Sequence, residues 1–293
     1  MSSILELLTL PFVQRMFLAA FLASVSCGII GSFVVVKRLV FLSGGIAHTT
    51  FGGIGLAYYL QYILGWLWLD PLLGALLFAV FTAAVMSLPM VKSRLREDST
   101  IGVLWVIGMA LGVLFINMVD KNVILVQDPV SILFGNILLI QNSDLYLMLL
   151  LVVVISVISS VFFKDLQILA FDEEFARISG INVSILNFVL LLLVAFTTVV
   201  LIKVVGVVLV IAMLTIPAAM AGLIVRSLKE MIISAVFIGI ATSFAGSIIS
   251  LIFNVPPGSA IVLVMGFLFV AMLIGKPIAN KISFNIKAKK QSS

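Results

Sequence analysis

The residues best suited to chemistry lie in the glycine-rich stretch FLSGGIAHTTFGG, which contains His48, the single histidine of the chain. On a helix, His48 shares its face with three small residues, which are Gly44, Gly52 and Gly55. Small residues let helices approach closely inside a membrane, so this face is expected to point into a bundle and not at lipid. An imidazole there is a candidate transition-metal ligand. A histidine that only hydrogen-bonds a neighbouring helix fits the same spacing.

Composition indicates which elements must position this face. Hydrophobic residues make up 63% of the chain and charged residues 10%, with a mean hydropathy of +1.36. A soluble domain would carry roughly a quarter charged residues. Because open sheets are excluded in lipid and the apolar runs are too long for barrel strands, we predict an all-α, polytopic helical bundle.

Apolar runs of about 20 residues predict the spans. We expect eight or nine of them within one transmembrane domain, 1–293. The predicted segments are 16–36, 45–64, 71–91, 101–119, 145–163, 185–202, 204–224, 231–253 and 259–275. The weakest division is between the sixth and seventh segments, which only a tight hairpin at 203–206 separates.

The basic residues predict the orientation of this layout. They cluster on one side, and only three fall on the other: Arg15, Lys121 and Lys203. The positive-inside rule makes the crowded side cytoplasmic and predicts a multi-pass protein of the cell membrane.

Three connections are large enough to matter. On the cytoplasmic side, 164–183 is expected to form a short amphipathic helix along the interface. The segment 216–231 is expected to leave the membrane after Pro217 and to end in a basic cluster. For each of these two segments, an ordinary connector and a docking surface for a partner protein are the two alternatives. On the external side, Asp128 precedes Pro129 in the segment 120–145; it attracts cations or caps a short helix there.

Several classes of function are disfavoured by what the sequence lacks. It contains no GxxxxGK[ST] phosphate loop and no HExxH motif, so it is not expected to hydrolyse ATP or to be an enzyme. One Cys and one His make a permanent structural zinc site improbable. No predicted span holds a well-buried carboxylate, which argues against a proton relay. Met213 and Met220 share a helix face and are soft candidate ligands or, preferably, packing residues.

Five blocks, in order along the chain, resemble the integral membrane permeases of the ABC-3 family, which serve bacterial and archaeal ABC importers for zinc, manganese and related metals. They are the stretch from PFVQRMFL to SGGIAH, REDSTIGVLWVIGMALGVLFI, DPVSILFGNIL, the stretch from FDEEFARISG to LTIPAAMA, and NVPPGSAIVLVMGFLFV. The resemblance implies a type II ABC importer-like permease that works as a pair. It also implies two ATP-binding cassette subunits inside and a metal-binding protein outside. No nucleic acid and no permanent cofactor is expected, since the metal passes only transiently.

By the same resemblance, His48 matches the family's transport-site histidine. The cytoplasmic connections would then dock the ATPase. The first-choice docking residues are Pro217, Arg226, Lys229 and Glu230. The second-choice residues are Phe171, Glu173 and Arg177.

Two departures from the family pattern bear on the ion. The family usually has an aspartate four residues before the histidine, where this chain has Gly44, and often a second histidine where it has Ser131. Imidazole without carboxylate tilts the expectation from manganese or iron toward zinc. It also leaves open a permease for a metal chelate or a cobalamin-like solute. An alternative from a different class of transporter is a standalone carrier coupled to protonation of His48.

Overall fold

The computed structural model describes residues 9–66, 68–87, 97–120 and 140–291, with positions 123, 126, 132, 133 and 135 between them. Every regular element in these ranges is a helix, so the predicted all-α class is confirmed. The helices are α1 (Pro11–Val36), α2 (Val40–Leu64), α3 (Pro71–Ser87), α4 (Glu97–Asn117), α5 (Asn142–Val161), α6 (Phe163–Phe171), α7 (Glu173–Ile178), α8 (Val183–Val205), α9 (Val207–Ile224), α10 (Leu228–Phe253) and α11 (Pro257–Gln291).

The predicted spans correspond to helices in the described ranges. Eight helices are long and apolar enough to cross a membrane, and α3, with 17 residues, is a shorter apolar helix. The ends differ from the sequence prediction by at most about five residues, except that α11 runs to Gln291 and not to 275. For example, α1 begins at Pro11 and not at 16, because proline suits the first turn of a helix, where no backbone donor is needed.

Polar contacts mark the two ends of the bundle. At one end, which we call the basic end, Lys37 pairs with Glu173 at 2.5 Å. At the opposite end, which we call the far end, Lys203 pairs with Asp144 at 2.8 Å, and the Arg15 guanidinium donates to the Ile140 carbonyl at 2.9 Å. Lys203 and Arg15 therefore lie at the end opposite Lys37, in agreement with the predicted layout, whereas Lys121 lies outside the described residues.

The helices form two groups that α8 connects. In one group α2 packs against both α3 and α4, and in the other α1 packs against α5, α9 and α10. Helix α8 lies against α2 and α3 on one side and against α5 and α9 on the other. His48 and its glycines therefore belong to the first group.

The weakest predicted division proves to be a sharp reversal at Gly206. This residue has φ 81°, and its amide donates to the Ile202 carbonyl, a backbone conformation that glycine adopts without a Cβ penalty. Helix α8 ends there at the far end. Helix α9 returns to the basic end, where Ala218 and Ala221 pack against the last turn of α1.

The expected exit from the membrane after Pro217 is wrong. Helix α9 continues through Pro217 to Ile224, and Pro217 is buried inside it. Membrane helices tolerate proline because neighbouring groups satisfy the freed backbone. Only 225–227 separate α9 from α10, so the connection at the basic end is much shorter than predicted.

The predicted amphipathic segment 164–183 is two short helices, α6 and α7, joined at Asp172. Its carboxylate caps α7 by accepting from the amides of Glu174 and Phe175 at 2.9 Å each. Leu166 and Leu169 are buried in a separate apolar cluster beneath the block. Most of the external segment, including Asp128, Pro129 and Ser131, lies outside the described residues.

Candidate functional site

The glycine face of α2 packs directly on α4, as the spacing of its small residues predicts. A Cβ built on Gly52 would lie 2.7 Å from the carbonyl oxygen of Gly108, and one on Gly55 would lie 2.6 Å from that of Gly112. Real Cβ atoms do not approach backbone so closely. The two backbones therefore touch along a line that we call the α2–α4 seam, and only glycine fits at these positions.

His48 lies on this seam, about a third of the way along α2. Its ring stacks face to face on the indole of Trp105 from α4, with centroids 4.1 Å apart and planes 12° apart. The side chain is partly buried and turned toward a neighbouring helix. The prediction that this face points into the bundle is thus confirmed for the ring as well as for its glycines.

One ring nitrogen of His48 is buried without a partner. Nδ1 is sealed from solvent and has no hydrogen-bond partner within the described ranges. A histidine whose task was to bond a neighbouring helix would have its buried nitrogen paired. The unpaired Nδ1 therefore gives no support to that alternative.

Sequence reasoning missed the opposite side of the seam. Trp105, Gly108 and Gly112 lie on α4, where the letters GMALG spell a small-xxx-small pattern that favours close helix packing in membranes. That pattern could have identified α4 as the neighbour of α2. The stack of Trp105 on His48 could not have been found, because it depends on the relative register of two helices.

The other candidate ligands remain apart or undescribed. Met213 and Met220 are buried, Met213 within the main apolar core, which agrees with the packing interpretation. Asp128 lies outside the described residues. In the part of the chain that the structure describes, no three His, Cys, Asp or Glu side chains come together as a metal site.

A second polar region lies at the basic end. A cavity of about 220 Å³ opens there, lined by the ends of α1 and α3 and the starts of α2, α4, α7 and α8. On its wall, Glu173 accepts from Lys37 and from the Asn187 amide at 3.4 Å, and Lys37 also donates to the Leu169 carbonyl. We call these contacts the basic-end junction; they tie α1 to α7 and α8.

The docking candidates differ in accessibility. Phe171 and Arg177 are exposed, as are Arg226, Lys229 and Glu230, but Pro217 is buried and offers no surface. Two further apolar residues that the sequence analysis did not single out, Phe175 and Ile178, are exposed on the same block. An apolar surface of this kind beside charged residues is typical of an interaction site.

Comparison with known proteins agrees with this architecture. The sequence matches the model of the ABC 3 transport family over residues 9–276. A probable metal transport system membrane protein of Chlamydia muridarum is 38% identical, with 96% of this chain and 94% of the relative covered. The manganese transport system membrane protein MntC of Halalkalibacterium halodurans is 32% identical, with 93% and 90% covered.

A solved structure shows the same fold. PsaBC from Streptococcus pneumoniae in complex with Fab contains a chain that superposes with a TM-score of 0.78 at 31% identity, with 92% of this chain and 93% of that chain covered. The family match spans most of the chain, and its boundaries include both the α2–α4 seam and the basic-end junction. The chain is therefore a multi-pass, all-helical membrane protein that belongs to the ABC 3 transport family.

Proposed function

We propose that this chain is the permease subunit of an ATP-driven importer for divalent metal ions, and that two copies form the path. The observation that carries the proposal is the match, over nine-tenths or more of the chain, to relatives named for metal or manganese transport. The chain has no phosphate-binding loop of its own, so a separate ATP-binding cassette subunit supplies the energy.

His48 gives this proposal its chemistry. Its Nε2 is a borderline ligand on a helix in the middle of the bundle, and Gly44, four residues earlier, adds no carboxylate to it. A single imidazole completed by water or backbone oxygen holds an ion weakly. Weak holding suits conduction, since an ion that binds tightly does not leave.

For the ion itself, we propose manganese ahead of zinc. The relatives' names favour manganese, whereas the ligand argument from Gly44 favours zinc because manganese prefers oxygen donors. Competition between the two ions in an uptake assay distinguishes them. Equal inhibition by both would indicate a path that selects by size and charge alone.

The test of function is uptake by the chain reconstituted in proteoliposomes with its ATPase and its binding protein. We expect ATP-dependent uptake of Mn²⁺, and of Zn²⁺ more slowly. His48→Ala should lower this uptake by at least about tenfold, the loss typical of removing one ligand or its orienting partner. Met213→Leu, a change of similar volume in the apolar core, serves as the control and should keep most of the activity.

Three results would redirect the proposal. Uptake without any ATPase would favour a standalone carrier driven by His48. Transport of a chelate but not of the bare ions would favour an importer of larger solutes. Undiminished metal uptake by His48→Ala would assign the histidine to packing.

We further propose that the ATPase docks on the α6–α7 block. The block lies at the basic end, which the positive-inside rule assigns to the cytoplasm. Phe171, Phe175 and Ile178 are 63%, 56% and 84% exposed there, and Arg177 stands beside them. The alternative surface was predicted to consist of Pro217, Arg226, Lys229 and Glu230. It is the weaker candidate because Pro217 is buried inside α9.

A paired substitution tests the docking site. Phe175→Ser with Ile178→Ser should weaken capture of the ATPase by the purified permease and abolish ATP-driven uptake, because exposed apolar anchors carry most interface energy. Arg226→Ser with Lys229→Ser is the matched control on the neighbouring connection and should lower binding only slightly. If the control pair loses the ATPase and the first pair keeps it, docking occurs at the α9–α10 connection.

A further inference from the structure

The imidazole of His48 contacts an aromatic ring, and its buried Nδ1 has no hydrogen-bond partner among the described residues. Trp105 stacks on it with a centroid distance of 4.1 Å and an interplanar angle of 12°. The indole has further contacts, because its N–H donates to the Met109 sulfur at 3.2 Å and its ring lies 5.8 Å from the Phe41 ring. The ring that stacks on the histidine thus comes from α4.

Metal-binding histidines are usually oriented differently. Such a histidine donates its second ring N–H to a carboxylate, a carbonyl or a water, which fixes the ring and makes it a stronger ligand. Here Nδ1 is sealed without a partner in the described ranges. Gly44 offers no side chain on that side, and a Cβ placed there would lie 3.7 Å from the Trp105 ring.

We propose that Trp105 is a positioning residue for the transport site. By stacking on His48 it turns Nε2 toward the ion and keeps Nδ1 away from solvent, so that it replaces the missing hydrogen bond as the orienting element. Because no acceptor pulls on Nδ1, the ring stays a weaker ligand than an anchored histidine. This inference rests on the proposed function, since it assigns a partner to the same residue.

A single histidine makes the test direct. Protein labelled with ¹⁵N only in histidine gives signals from one imidazole, so ring order can be followed without assignment. The native chain in nanodiscs should show one fixed set of ring resonances. Trp105→Leu should broaden or average them, and Trp105→Phe, which keeps a ring face, should restore the native pattern. Trp68→Leu, at an exposed tryptophan of the far end, is the matched control and should change nothing.

A metal titration on the same samples joins ring order to function. Adding Zn²⁺ should shift the native His48 signals, and adding Mn²⁺ should broaden them. Trp105→Leu should need about 10- to 100-fold more of either ion, the usual loss when an orienting partner is removed. Met109→Leu removes only the acceptor of the indole N–H at nearly constant volume. It should raise the metal concentration that is needed, but by less than Trp105→Leu. It decides the question if Trp105→Leu does not fold.

The outcomes separate the two proposals. Suppose that native His48 responds to the ions and that Trp105→Leu responds equally, with an unchanged ring pattern. The role of Trp105 is then refuted while the proposed function stands. Met109→Leu is used in the same way if Trp105→Leu does not fold. If native His48 ignores both ions and metal uptake is absent, the proposed function fails and takes the metal role of Trp105 with it.

Discussion

The α2–α4 seam and the basic-end junction are held together by opposite means. Along the seam, backbones touch at Gly52 and Gly55, where a Cβ would meet the backbone of the facing helix. At the junction, long side chains bridge the helices, with Lys37 reaching Glu173 by an ion pair. Backbone contact fixes the spacing of two helices within a fraction of an ångström, whereas flexible side chains keep a contact while helices shift.

This difference matches the function that we propose for each region. A transport site needs its ligand held in one geometry, and the seam provides this with residues that have no rotamers to change. A junction between the bundle and a docking block has to pass on movement, and ion pairs with flexible stems allow it. Substitutions should therefore be tolerated far less at the seam than at the junction.

The largest effect is expected at the seam. Gly52→Leu would place side-chain atoms where the Gly108 carbonyl lies, so α2 and α4 must separate, at a cost of about 3 kcal/mol, the upper part of the range for overpacked interiors. The stack of His48 on Trp105 would be lost with the spacing. We expect transport to be abolished, with the variant less stable in a thermal unfolding assay of the purified protein.

Gly102→Leu is the control for that experiment. Gly102 lies on α4, the helix that faces Gly52 across the seam, but nothing lies within 4 Å of a Cβ built on it. This variant should fold and transport as the native chain does. If Gly52→Leu also transported normally, the seam would not be the element that holds the site.

The seam also shows how far sequence reasoning reaches. The glycine face of α2 was predictable because helical spacing is local and small residues have one main use in lipid. The stack of Trp105 was not, since it depends on how α4 is placed. The exit after Pro217 was predicted wrongly, because proline and small residues mark the end of a soluble helix but not of a membrane helix.

The basic-end junction was invisible from sequence for a related reason. Lys37 and Glu173 are far apart in the chain, and each was assigned only to a cytoplasmic surface. Charge counting placed both on the correct side. It could not pair them, because the pairing requires α7 to fold back beneath α1.

An intermediate effect is expected when this ion pair is broken. The Lys37 side chain is 7% exposed and that of Glu173 is 42% exposed, so removing the carboxylate costs more than removing the amine. Glu173→Gln leaves a buried ammonium without its carboxylate, which we expect to cost about 2 kcal/mol, below the range for fully buried pairs because Glu173 is partly solvated. Lys37→Met should cost about half of that, since methionine fills the buried space.

Thermal unfolding of both variants measures this asymmetry, and ATP-driven uptake measures coupling. Uptake should fall several-fold in Glu173→Gln without any change in the ¹⁵N pattern of His48, because the seam is independent of the junction. Equal losses of stability in the two variants would show that solvent exposure does not govern this pair. A disturbed His48 pattern would show that the two regions are one unit.

The smallest effect is expected at Asp172, where the docking block is held by a helix cap. Asp172→Ala removes the acceptor for the amides of Glu174 and Phe175, a loss of about 1 kcal/mol for a typical cap. Helix α7 should then open more often, and exchange of those two amides with deuterium should accelerate roughly fivefold. Asp172→Asn keeps an acceptor oxygen and should exchange at nearly the native rate. Since α7 carries Phe175 of the proposed docking site, the alanine variant should also bind the ATPase a few-fold more weakly, while the seam is unaffected. Weakened binding with unchanged amide exchange would instead show that the Asp172 carboxylate itself contacts the ATPase.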